Sequence, residues 1–558
     1  MTDIQAGITG SSANGNTGAT TDSAATDSAA TGIATAADTI ADPTGTAPQQ
    51  NASRPTTTTS ETALQPETEH TTHHSIELAG KLWRYDATVG TITIDTAKVK
   101  PAASIFYAAF TAVDAEGKAD ATRPVTFVFN GGPGSSSTFL LLGSIAPKRI
   151  SVPDAAPVPA APYRFVDNLH TLLPSSDLVF IDAAGAGFSQ VLDKAKAELW
   201  SVDGDVKGFS AFIRAFLSKY HRWNSPKYLL GESYGTTRGA ALAYRLQQDG
   251  AALNGIVLIS NILNYAYTLD TSDQFYVGYF PSFASVAKYH GVAGKGVDTA
   301  EFLARARAFA DGELRPALAQ GDRLSDSAKA NVAKHYAELT GLNERYVVDS
   351  DLRVLDMRFR KELLRDRDQI VGRYDGRVAG YDMDKMSDDE TFVVDDAYLD
   401  PAYSSLVNAY LRDELGWPGR PERRGFADFD WESSEPGKGW MWHHKLPEHT
   451  KNAWEGTIPF PDVTRDLAAA VTHQPTLKVL IGNGIYDLCT PFFQTEYDID
   501  HLGLPKALRG NIAFTYYPAG HMLYTSEPSL SKFSADLTRF YQASPDQLSD
   551  LDERPKVR

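Results

Sequence analysis

A hydroxyl, a carboxylate and an imidazole each follow a short apolar run in this chain, and their types suit nucleophilic acyl transfer. The hydroxyl is Ser233, inside Gly231-Glu232-Ser233-Tyr234-Gly235 and directly after the apolar Tyr228-Leu229-Leu230. Glycines on both sides permit a sharp strand-to-helix turn that leaves a serine exposed. The carboxylate is Asp487, just past Val479-Leu480-Ile481, and the imidazole is His521, just past Phe514-Thr515-Tyr516-Tyr517. An imidazole can take a serine proton, and a carboxylate can orient the imidazole and stabilise its charged form. Each residue has a plainer reading: the Gly-x-Ser-x-Gly pattern arises by chance, a loop aspartate is a turn residue, and a loop histidine is solvated. Their shared placement at strand ends, in one chain order, favours catalysis.

A second signal follows the run Val125–Phe129. Asn130-Gly131-Gly132-Pro133-Gly134-Ser135-Ser136-Ser137 packs three glycines and a proline at a strand end, and such a loop can offer backbone N–H groups to an anion. In acyl transfer, one oxyanion donor comes from a loop of this kind and the other from the residue after the nucleophile. Gly132 and Tyr234 are therefore nominated as the oxyanion hole. A phosphate-cradling loop is the competing reading, but the Lys-Ser/Thr ending of a P-loop is missing. A purely structural glycine turn is the other alternative.

These residues need a rigid frame. The runs Val125–Phe129, Leu178–Ile181, Tyr228–Leu230, Ile256–Ile259 and Val479–Ile481 are apolar throughout, as strands buried on both faces are. Helical patterns at Val206–Tyr220 and Thr236–Gln247 alternate with them, which predicts an α/β fold with a mainly parallel sheet. Upstream, Lys81–Tyr85 and Val89–Ile94 read as two hairpin strands and Ser104–Ala112 as a third. The stretch between Ser233 and Asp487 is far longer than one or two βα units need. An inserted cap is expected at 265–455, with helices at Glu301–Ala317, Ser325–Leu339 and Leu352–Arg365. Its Trp417, Trp431, Trp440 and Trp442 either line the substrate pocket or form the cap's own core. The core itself is expected at 73–264 and 456–545, and the C-terminal tail at 546–558. The basic run Arg358–Arg367 reads as a solvated helix face.

Residues 1–72 are rich in Thr, Ala, Ser, Gly and Asp, and such a segment is expected to be disordered. The first twenty residues carry no Lys or Arg and no apolar run of signal length, so a cytoplasmic location is expected unless the true start differs, in which case export becomes open. No stretch is apolar enough to span a membrane. Of the 558 residues 42% are hydrophobic, which gives a large core, and the net charge of −17 argues against nucleic acid as partner. One cysteine, Cys489, excludes an intrachain disulfide. The pairs His73-His74 and His443-His444 lack partners at metal-ligand spacing, so neither a metal nor a cofactor is expected.

Four ordered stretches carry a family resemblance: Asn130–Gly134, Gly231–Gly235, the Gly-x-x-x-x-Asp loop from Gly482 to Asp487, and Ala519-Gly520-His521-Met522. Together they resemble the serine carboxypeptidase family, peptidase family S10, within the α/β-hydrolase superfamily. Asp182–Ser189 resembles a further family segment, one residue shorter and without its proline. The resemblance spans about residues 75–545 and is faint in the cap. It implies a Ser233, Asp487, His521 triad, oxyanion donors at Gly132 and Tyr234, and Asn130, Gly131 and Glu232 as binding groups for the terminal carboxylate of a peptide. In the family Glu232 shares protons with a second acid, but the matching position here is Ser144. Glu232 is therefore expected to be held protonated by burial or offset by a cation such as Arg238 or Lys148. The implied activity is serine-type carboxypeptidase, an esterase or acyltransferase being the alternative and a binding protein with a dead site the third.

Overall fold

The computed structural model describes residues 63–419, 423–447 and 456–555. Most of the expected N-terminal tail, residues 1–62, and the last three residues lie outside them.

The frame is one twisted sheet. Its first strands are β1 (Glu69–Leu78), β2 (Lys81–Ile94) and β3 (Ala103–Val113), followed by β4 (Val125–Phe129), β5 (Asp177–Ile181), β6 (Lys227–Glu232), β7 (Gly255–Ile259), β8 (Lys478–Gly484) and β9 (Ile512–Tyr517). The spatial order is β1-β2-β3-β5-β4-β6-β7-β8-β9. The first three strands and the β3–β5 pair are antiparallel, and every pair from β5 to β9 is parallel. All residues of β4 to β8 are buried, which is why these stretches read as unbroken apolar runs. The fold is α/β, with a mainly parallel sheet covered by helices.

The leading edge differs from the sequence reading. Lys81–Tyr85 and Val89–Ile94 are two ends of the single strand β2, and its hairpin partner is β1. Ala79 and Gly80 both have positive φ, 49° and 77°, the turn geometry that a two-residue hairpin requires. β1 also overruns the tail boundary set at 72, because Glu69 to Leu78 pair with β2 along their whole length. Its threonines and histidines gave no apolar signal, yet an edge strand with one solvated face needs little.

Three helices bear directly on the site. α1 (Thr138–Gly143) follows the Asn130–Ser137 loop, α2 (Val202–Lys219) is capped by Ser201, whose side chain accepts from Gly204 N–H, and α3 (Tyr234–Gln248) springs from Ser233. Ala240, Ala241, Tyr244 and Leu246 of α3 are buried against the sheet. Between β7 and β8 the chain forms α4 (Asp273–Tyr289), further helices at Thr299–Phe309 and Asp326–Thr340, and α5 (Val394–Ala409). The apolar cluster of the first three extends onto Ile485, Leu488 and Phe492 beside the end of β8, while Ala402, Tyr403 and Val407 of α5 join the cluster on the sheet. The helix expected from Leu352 starts only at Asp356, because Asp351 and Leu352 take positive φ. Arg360 and Lys361 are not solvated. Both are buried, Arg360 paired with Glu390 and Lys361 with Asp382 at 2.7 Å.

The tryptophans pack rather than line the pocket. Trp417 packs on Phe106 and Phe188, and Trp440 packs on Tyr234 and Phe429. Among the described residues none of the four tryptophans lines the main cavity.

Candidate active site

Strand β6 ends in a backbone that explains its sequence. Ser233 has φ 59° and ψ −131°, a conformation non-glycine residues adopt only where the surroundings enforce it. At Gly231 a Cβ would meet the Gly235 carbonyl oxygen at 2.2 Å, so the turn closes only with glycine there. Ser233 N–H donates to the Ile259 carbonyl at 3.0 Å, which ties the turn to β7.

The loops after β8 and β9 bring the other two residues beside it. Asp487 and His521 are both buried, and Asp487 Oδ2 lies 2.8 Å from His521 Nδ1. Asp487 is itself held: Oδ1 accepts from Cys489 N–H at 2.7 Å and Thr490 N–H at 2.9 Å, and Oδ2 accepts from the Thr490 hydroxyl at 2.8 Å. Burial alone would lower the His521 pKa, but the Asp487 charge and hydrogen bond outweigh it and the net shift is upward. His521 N–H donates to the Tyr374 carbonyl at 2.6 Å. The Tyr374 loop is fixed in turn by Asp395, whose Oδ2 accepts from Tyr374 N–H at 2.6 Å and Asp375 N–H at 2.8 Å.

Ser233 and His521 line one cavity of about 380 Å³. Among the described residues no hydrogen bond of ordinary geometry joins the Ser233 hydroxyl to His521, and nucleophile–base contacts are often loose before substrate binds. Gly131, Gly132, Asn130 and Glu232 line the same cavity. Among the described residues the N–H groups of Gly131, Gly132 and Tyr234 have no protein acceptor. Tyr234 N–H belongs to the first turn of α3, where the helix leaves donors unsatisfied and a partial positive charge. The loop and the elbow touch: a Cβ at Gly131 would lie 2.5 Å from Tyr234 N and 2.8 Å from the Glu232 carbonyl oxygen. Gly131→Ala should therefore push the loop off the elbow and lower kcat/KM by about 10²–10³-fold, the cost of one oxyanion donor. Steady-state kinetics beside a thermal melt checks this: the clash should also lower stability by about 1–3 kcal/mol, so activity is compared at a temperature where both proteins are folded.

Asn130 and Glu232 form a buried pair. Asn130 Nδ2 donates to Glu232 Oε1 at 2.8 Å, and Asn130 Oδ1 accepts from Leu140 N–H at 3.0 Å. The Asn130 amide also acts on the neighbouring Tyr524 hydroxyl. Glu232 is 3% exposed, and burial pushes its pKa up to about 7 despite the lowering effects of His521, Tyr524 and Asn130. Ser144 is also buried, but its hydroxyl turns back to the Leu140 carbonyl and takes no part in the cavity wall.

Neither cation expected near Glu232 serves it. Arg238 Nε donates to Asp205 Oδ2 at 2.7 Å and its Nη1 to the Asn130 carbonyl at 2.7 Å. Lys148 sits 3.2 Å from Asp167 and 3.6 Å from Glu414. Asp205 lies on α2, and its buried carboxylate draws Arg238 away from Glu232; nothing local in the sequence announces that pair. The His444 ring is also accounted for, Nδ1 being 2.7 Å from Asp203 and Nε2 2.9 Å from Asp466.

The remaining walls come from residues the sequence reading did not single out. Asp396, Asp400, Tyr403 and Val407 fall on one face of α5 at helical spacing and face the cavity. Phe139, Arg423 and Arg424 line the cavity as well, Phe139 packing on Tyr403. Arg423 is committed to Asp182 of the family-like Asp182–Ser189 segment, and its Nη2 also donates to the Thr138 hydroxyl at 3.0 Å. Thr490 was within reach of the sequence, as a residue three past a loop aspartate is a recurrent turn partner. The α5 face was not, because no motif marks it.

Residues 90–294 match the family model described as "Serine carboxypeptidase". No curated protein matches the chain. Among solved structures, a prohormone-processing carboxypeptidase from Saccharomyces cerevisiae, Kex1(delta)p, is 14% identical with a TM-score of 0.46, over 85% of this chain and 91% of that one. A proline iminopeptidase from Mycobacterium smegmatis is 13% identical with a TM-score of 0.33, over 81% and 97%.

Proposed function

We propose, from the match of residues 90–294 to the serine carboxypeptidase family model, that this serine hydrolase removes single residues from the C-terminus of peptides. The observation that carries the reading is the buried Asn130–Glu232 pair on the wall of the cavity that also contains Ser233 and His521. A carboxyl held near neutrality, beside an amide N–H and the free Gly131 N–H, suits a terminal carboxylate rather than an internal peptide bond.

In this mechanism His521 takes the Ser233 proton as Oγ attacks the scissile carbonyl carbon. The carbonyl oxygen becomes an oxyanion between the N–H groups of Gly132 and Tyr234. His521 then gives its proton to the departing amine, the C–N bond breaks, and the peptide remains as an ester on Ser233. Water, deprotonated by His521, hydrolyses that ester and restores the enzyme. Asp487 orients the imidazole and stabilises its cation. The inserted segment acts as a cap, and its α5 face shapes the site for the departing residue.

The clamp sets the pH dependence. Glu232 is pushed up to about 7 by burial, so below that pH it is neutral and donates to the substrate carboxylate, whereas above it two anions meet. KM for a free-acid peptide should rise as pH passes about 7, while an ester of the same peptide shows no such rise. For the ester, activity should climb with pH as His521 loses its proton. Profiles of both substrates on one enzyme preparation check this, and an ester-like profile for the free acid would remove Glu232 from the clamp.

One observation favours an esterase or acyltransferase: Ser144 supplies no second acid. Hydrolysis of an N-blocked dipeptide, as free acid, amide and ester, separates the readings. Cleavage of the free acid supports the carboxypeptidase, and cleavage of the ester alone supports the alternative.

A further inference from the structure

The family's second acid is absent at Ser144, yet the space beside it is filled. At Gly143, one residue earlier, a Cβ would lie 2.6 Å from the Tyr403 hydroxyl and 2.7 Å from the Tyr524 ring. Glu232 Oε2 and the Tyr524 hydroxyl are both fully buried; neither makes a hydrogen bond of ordinary geometry, yet the hydroxyl lies close enough to Glu232 and to Asn130 to act on both. Two such orphans cost free energy unless they serve each other or a ligand. Tyr524 follows His521 by three residues and is 2% exposed, so its hydroxyl cannot reach water.

The geometry points to Tyr524 as the positioning residue that replaces the second acid: its hydroxyl donates to Oε2 of the ionised Glu232 and so competes with the protonated form that donates to substrate. The inference rests on the carboxypeptidase reading for its consequence in catalysis. A pair of carboxyls can carry two negative charges, whereas carboxyl and phenol carry at most one here, since the phenol's own ionisation is pushed well above its ordinary range by burial and by the Glu232 charge. The other ionisable groups acting on Glu232 are His521 and Asp487. Tyr403, whose phenol is also shifted upward by burial and by the Glu232 charge, closes the α5 side. Arg238 and Arg423 are held by Asp205 and Asp182. The His521 charge first, then the hydroxyl of Tyr524 and the amide of Asn130, lower the Glu232 pKa from what burial alone would set.

Tyr524→Phe removes a donor to the ionised carboxylate, so Glu232 stays protonated to higher pH. Above the wild-type midpoint the ratio of free-acid KM to ester KM should then fall by about tenfold, one pH unit's worth of titration. A residue that only fills space would not move that midpoint. The titration can also be read without substrate, from the infrared carboxylic-acid band that vanishes in Glu232→Gln. That band should persist to higher pH in Tyr524→Phe. Incorporation of 3-fluorotyrosine at 524, a more acidic phenol and stronger donor, should move the band to lower pH, and it serves if the phenylalanine variant fails to fold. A band that keeps its midpoint in every folded variant overturns the inference. If the wild type cleaves esters and no free acid, the carboxypeptidase reading fails, while the band still decides the role of Tyr524.

Discussion

Alanine at position 233 is expected to lower kcat on any substrate by about 10⁵–10⁶-fold, the loss typical when the nucleophile of a Ser–His–Asp site is removed. The fold should survive. Ser233 sits at φ 59°, a strain that alanine bears as serine does, because both carry a Cβ. The turn is held by the Ser233 N–H bond to the Ile259 carbonyl and by the packing of Gly231 on Gly235, neither of which uses the hydroxyl. Kinetics with a thermal melt therefore separates chemistry from stability. A variant that keeps more than a thousandth of the activity would mean that the hydroxyl is not the nucleophile.

Asp487→Asn is the second large effect, and the surroundings of Asp487 dictate its mode. Oδ1 accepts two backbone N–H groups, from Cys489 and Thr490, and only an oxygen can occupy that position. The asparagine amide nitrogen must then take the place of Oδ2, 2.8 Å from His521 Nδ1. Its N–H donates to Nδ1 and forces the proton of a neutral imidazole onto Nε2, the nitrogen that should take the Ser233 proton. A loss of about 10⁴-fold in kcat follows from the wrong tautomer. The imidazolium also loses the carboxylate that raises its pKa, so the His521 limb of the pH profile should move to lower pH. Substrate KM should change little. Kinetics across pH tests all three, and a variant near wild-type activity would release Asp487 from the site.

How far the sequence reaches is set by the range of each contact. Residues 130–132 and 231–235, with the strand-end placements of Asp487 and His521, were legible because each is local: an apolar run, a glycine and a polar residue in immediate succession. The parallel strands were legible because burial on both faces leaves no alternation to misread. β1 was not, since an edge strand of threonine and histidine looks like the tail before it. The partner of Arg238 is Asp205 on another helix, and the cavity wall of Asp396, Asp400 and Tyr403 stands far along the chain from Ser233. Folding alone brings them together. Ser144 shows the limit most clearly. Counting along the chain identified the position, but the direction of its hydroxyl and the tyrosines filling the neighbouring space depend on three separate segments.

In this mechanism Ser233 releases single residues from a free C-terminus. Mass spectrometry of an unmodified peptide incubated with wild type and Ser233→Ala tests it most directly. A ladder that shortens one residue at a time from the C-terminus, absent with Ser233→Ala and absent for the C-amidated peptide, is the predicted result. Internal fragments, an N-terminal ladder, or an intact peptide from an enzyme that still cleaves esters would contradict it.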